Sequence, residues 1–155
     1  MKKIILMLTL SLFWVSETFG QLSTKFPAET MGYKPIGKSE CTSMNMAGMP
    51  PMNTCEQKYS NSKLTISISI TEYPKGNPAM VDYGALGNDQ GDGGDDAHTY
   101  EKLVVGSAKG SITYMKSSKM ATASLVIGDK LLVDVNGKNQ PNGEAVKALA
   151  KAVKL

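Results

Sequence analysis

The sequence predicts an α+β fold, an antiparallel β-sheet of about five to six strands with a C-terminal amphipathic helix packed on one face. Three observations carry this. LTISISITEY, residues 64–73, places Leu64, Ile66, Ile68 and Ile70 on one face and Thr65, Ser67, Ser69 and Thr71 on the other. Period two with β-branched residues marks a half-buried strand. YEKLVVG, GSITYMKS, KMATASLVIG and KLLVDVNG follow one another with the separators SAKG, SSK and GDK, which reads as a four-stranded meander with tight turns. Last, EAVKALAKAVKL sets Val146, Leu149, Ala150 and Val153 at helical spacing, with Lys147, Lys151 and Lys154 elsewhere.

At the N-terminus, Lys2 and Lys3 precede a twelve-residue, largely apolar run from Ile4 to Val15, then small or polar residues up to Gly20. This predicts a secretory signal peptide over residues 1–20, cut before Gln21. The run is shorter than the about 20 apolar residues that cross a bilayer, so no membrane anchor is expected after cleavage. The expected location is the periplasm or the extracellular space. Residues 21–155 are then a single secreted α+β domain, large enough for one core and small for two.

Residues 21–38 are punctuated by Pro27, Gly32, Pro35 and Gly37, leaving room for one short helical turn. Next comes CTSMNMAGMPPMNTC, residues 41–55, with both cysteines of the chain. Folded as a hairpin about Gly48, it opposes residues whose numbers sum to 96, so Cys41 faces Cys55 and Met44 faces Met52. Directly opposed strand residues lie within disulfide reach, and export favours the bond. Between Pro74 and Thr99 the chain is rich in Gly and Asp, and a connection that long is functional or mobile. Asn142 is the expected N-cap of the final helix, and Glu144 suits its positive end.

The elements FPAETMGY, a strand ending ITEY, a long loop, GSITYMKS, LVIGDKLLVDVNG and a closing helix resemble small exported bacterial domains, some with a sheet like that of PsbP. The resemblance spans most of the mature chain. It implies the fold described above and transfers no activity.

All 17 basic residues are lysine, and after loss of Lys2, Lys3 and Glu17 the net charge falls from +3 to +2. With no arginine fork, no tryptophan beyond the signal peptide and only Phe26 among mature phenylalanines, nucleic-acid binding is not expected. Met44, Met46, Met49 and Met52 form a soft-donor set that suits Cu(I); the plainer reading is that they pack or make a protein contact. The acidic loop offers Asn88, Gln90, Asp92 and Asp96 at calcium-loop spacing, with Thr99 where the closing glutamate belongs. Its plainer reading is a solvated loop.

His98 is the single histidine, and no G-x-S-x-G, P-loop or H-E-x-x-H pattern occurs. The expectation is a non-enzymatic exported binding or interaction module for an unidentified protein or small ligand, without a resident cofactor. Cu(I) handling through the methionine loop is the first alternative. A hydrolase using acidic-loop carboxylates is the second.

Overall fold

The computed structural model describes residues 19–45, 51–78, 80 and 93–155. Eight strands run among them: β1 (Lys34–Met44), β2 (Met52–Ser60), β3 (Thr65–Glu72), β4 (Gly93–Gly94), β5 (His98–Val105), β6 (Ala108–Met115), β7 (Met120–Ile127) and β8 (Leu131–Gly137). One helix, α1 (Glu144–Ala152), follows them, and residues 19–23 form a helical turn. The predicted signal peptide lies outside the described residues except for its last two, Phe19 and Gly20.

The strands make one sheet in the order β1-β2-β3-β8-β7-β6-β5-β4, every neighbouring pair antiparallel. The count exceeds the predicted five to six for two local reasons. Pro35 and Gly37 read as loop residues, yet β1 is an edge strand, where proline costs no ladder bond. Gly37 (φ +67°) sits in the register shift between Ile36 and Glu40, a bulge that glycine allows. β4 is two glycines, too short and too bare for any periodicity to reveal. The predicted meander is present as β5–β8, although Val105 pairs with Ala108, so the first turn is only Gly106 and Ser107.

The meander joins the N-terminal hairpins along one seam, β3 against β8, where Ile66, Ile68 and Ile70 oppose Gly137, Val135 and Val133. These isoleucines and valines, with Ala121, Ala123 and Leu125 of β7, share the covered face. Val146, Leu149 and Ala150 of α1 close over that face, each fully buried, and Val153 follows. The helix begins at Glu144 as predicted, but Gly143 rather than Asn142 holds the N-cap position. Asn142 still caps, its Oδ1 accepting from Glu144 N at 3.0 Å. Gln140, fully buried, accepts from the Tyr33 hydroxyl at 3.1 Å and ties the N-terminal segment to the approach to α1.

Tyr59 is buried beneath the N-terminal segment, donating to the Pro27 carbonyl at 2.7 Å, and burial pushes its phenol up to about 12. A folded pKa above the unfolded value of about 10 favours the protonated state on folding. That contribution is intact below pH 10 and is lost as pH rises toward 12, on the order of 2–3 kcal/mol across the window. Tyr59→Phe should flatten this alkaline loss while costing about 1–3 kcal/mol at neutral pH through the orphaned carbonyl. Urea midpoints at pH 7 and pH 11 check both.

The other face is met by Met80, a helical residue like Pro78. Tyr73 and Met80 pack at its Val126–Leu132 end. Across its middle, the ladders align Ser69, Asp134, Ser124 and Ser111 in one row and Ser67, Asn136, Thr122 and Thr113 in the next. Ser124 Oγ donates to Asp134 Oδ1 at 2.6 Å and Thr122 Oγ1 to Asn136 Oδ1 at 3.0 Å. Partial burial raises the Asp134 carboxyl above its ordinary range, outweighing the Ser124 bond, which lowers it. The stability this group contributes is therefore full below about pH 4 and lost as pH rises through its folded value. Asp134→Asn should stabilise the protein at neutral pH and lose that advantage below about pH 4, as read from denaturant midpoints at the two pH values.

Candidate functional site

Helix α1 has nine residues and is therefore about 14 Å long. Strands spaced about 4.8 Å apart make an eight-stranded sheet more than twice that width. The helix packs on β7 and β8, and the N-terminal segment covers Tyr59 on β2. Beyond the start of the helix, the same face of β5 and β6 is left open. A cleft of about 510 Å³ fills that corner.

Thr99 and Glu101 of β5, with Ile112 and Tyr114 of β6, form its floor; Asn142, Gly143, Glu144 and Lys147 form the wall, and Lys116 lies at the mouth. Gly143 sets how closely wall and floor approach, since a Cβ there would stand 3.2 Å from Ile112 Cδ1. Glu101 and Lys147 make an ion pair across the cleft. The Tyr114 hydroxyl is within donating distance of the Gln140 and Pro141 carbonyls, at 3.0 and 3.1 Å, leaving its ring toward the floor. Lys116 Nζ donates to the Asp95 carbonyl at 2.9 Å. Two carboxylates and two ammonium groups thus balance, above a floor that is apolar at Ile112 and Tyr114.

Sequence reasoning missed this site. Lys147 reads as a solvent-facing helix position, yet its side chain keeps only 19% exposure. Its partner Glu101 is 46 residues away, and no local spacing links them. Glu101 falls in the predicted strand YEKLVVG, and β5 carries it to the cleft.

At the hairpin, the predicted register holds from Glu40↔Glu56 to Met44↔Met52. Cys41 and Cys55 are opposed with sulfurs 2.02 Å apart. The non-reduced protein should be two hydrogens lighter than its reduced form by mass spectrometry. Replacing both cysteines with alanine should cost about 3 kcal/mol, the chain-entropy figure for a loop of about 15 residues. Met44 and Met52 share the strand face opposite the cysteines; Met44 is 58% exposed and so is no core residue, while Met52 is half-buried. Met46 and Met49 lie outside the described residues.

Of the predicted calcium set, Asn88, Gln90 and Asp92 lie outside the described residues, and Asp96 is exposed. Its neighbour Asp95 is engaged in a turn, its Oδ1 accepting from Ala97 N at 2.7 Å and His98 N at 2.6 Å. Those two bonds, His98 foremost, hold the Asp95 carboxyl below its ordinary range. His98 stacks on Tyr100 with ring centroids 6.0 Å apart. Among the described residues, no three His, Cys, Asp or Glu side chains converge as a metal site, and no helix is long and apolar enough to cross a membrane.

No family model, curated protein or solved structure matches the chain. Its chemistry must be read from its own residues.

Proposed function

We propose that the protein is an exported binding module that holds a small polar ligand in the cleft between β5, β6 and the start of α1, without catalysing a reaction. The cleft itself carries the reading: a concavity of about 510 Å³ with an apolar floor and a few convergent polar groups is the form small-molecule sites take. Its four charges cancel, which suits a neutral or zwitterionic ligand, because a strongly charged one would leave a like charge uncompensated. The Glu101–Lys147 pair and the tethered Tyr114 hydroxyl fix the walls, as orienting groups do, and the paired cysteines suit an oxidising compartment.

Protein-detected NMR of the isotopically labelled chain, titrated with a panel of free amino acids, nucleosides and betaines, tests it. A binder should shift the amides of Thr99, Glu101, Tyr114 and residues 142–147, and Lys116→Glu, which upsets the charge balance, should weaken it. A panel in which nothing shifts those amides removes the reading.

A further inference from the structure

We infer that the cleft takes a free α-amino acid with an uncharged, apolar side chain, which enters between the carboxylate of Glu101 and the ammonium of Lys147. This rests on the cleft being a small-ligand site, the reading proposed above. Glu101 stands on the floor in β5 and Lys147 on the wall in α1, so their ion pair spans the cleft and sets one charge of each sign side by side. In an α-amino acid the ammonium and the carboxylate hang from one carbon. The two patterns are complementary: the ligand's ammonium donates to Glu101, its carboxylate accepts from Lys147, and both bonds are charge-assisted.

Parting the pair is cheap. The Glu101 side chain keeps 45% exposure and that of Lys147 19%, and an ion pair that still meets water contributes little to stability. A ligand that brings only one of the two charges leaves the other member of the pair without its counterion in a largely covered position. That asymmetry discriminates, because a charge stranded away from water costs more than the pair was worth.

The rest of the lining selects the side chain. Ile112 and the ring of Tyr114 present apolar surface, and Gly143, where a Cβ would stand 3.2 Å from Ile112 Cδ1, keeps the wall from closing over it. Lys116 and Glu144 are the remaining charged groups of the lining, one of each sign, so a third charge on the ligand finds no unmatched partner. Other zwitterions fit less well. A betaine has no N–H to give Glu101, and an ω-amino acid holds its two charges too far apart to serve both members of the pair. A nucleoside carries neither charge.

The test titrates the isotopically labelled chain with L-leucine, N-acetyl-L-leucine, L-leucinamide and 6-aminohexanoate. Leucine should move the amides of Glu101, Ile112, Tyr114 and Lys147, and the other three should each bind about tenfold or more weakly. Glu101→Gln should bring leucine and N-acetyl-leucine to similar affinity, because the ammonium has lost its partner, and Lys147→Met should do the same for leucine and leucinamide. These are differences between ligands on one protein, so a general loosening of the cleft does not produce them. Where a variant does not fold, the four ligands on the parent decide. A nucleoside or betaine that moves those amides while leucine does not leaves the small-ligand reading standing and overturns this inference. So do capped leucines or 6-aminohexanoate binding the parent within about threefold of leucine, or folded variants that discriminate as the parent does. Amides that respond to no ligand of either panel remove both.

Discussion

Gly110→Ala is expected to leave little folded protein. Gly110 pairs with Leu125 in the β6–β7 ladder, and a Cβ there would stand 1.8 Å from the Ser124 carbonyl oxygen, 2.8 Å from its carbon and 2.9 Å from Leu125 Cα. All three are backbone atoms, so no rotamer change gives relief and the strands must part. Overpacking usually costs about 1–3 kcal/mol where side chains can yield. Here the ladder itself must open, at a cost above about 4 kcal/mol, a large share of the roughly 5–15 kcal/mol that holds a typical domain together. Gly93→Ala is the control, since that glycine has an ordinary φ and an added methyl group would meet nothing within 4 Å. Denaturant unfolding of the two variants should separate them clearly; a Gly110→Ala protein as stable as Gly93→Ala would mean that β6 and β7 are not so closely apposed.

Leu149→Ala should cost about 2–5 kcal/mol, the range for truncating a buried leucine. Leu149 is fully buried between Val146 and Val153 of the helical stripe and the valines of β8. Lys151→Ala, two residues on and exposed, should stay within about 0.5 kcal/mol of the parent. Thermal melts distinguish them at once. Equal small effects would show that α1 does not seal the sheet.

The two positions differ in how far the sequence foretold them. The helical stripe was legible because a 3.6-residue period is a local property, as was the period two of Ile66, Ile68 and Ile70. The hairpin register from Glu40 to Met44 was legible because two cysteines and the turn between them fix the pairing. Gly110 was not, because its need for glycine arises from Ser124 on the next strand. The β3–β8 seam was equally hidden, since pairing between strands distant in the chain leaves no trace in either one. The cleft exists because α1 is narrower than the sheet, which no residue of β5 or β6 encodes. Each Ser and Thr of the polar face was visible as an alternating position, and only three interstrand registers turn them into rows.

The β3–β8 seam also says how the molecule would behave in two pieces. Three N-terminal strands and five C-terminal ones meet along seven residue pairs from Ile66↔Gly137 to Glu72↔Leu131, reinforced by the Tyr33–Gln140 bond and by Lys154 N donating to the Lys25 carbonyl. β3 lies in the middle of the sheet and β4 at its far edge. A chain nicked between β3 and β4 keeps all seven of those pairs, and its two pieces are expected to reassociate across the seam.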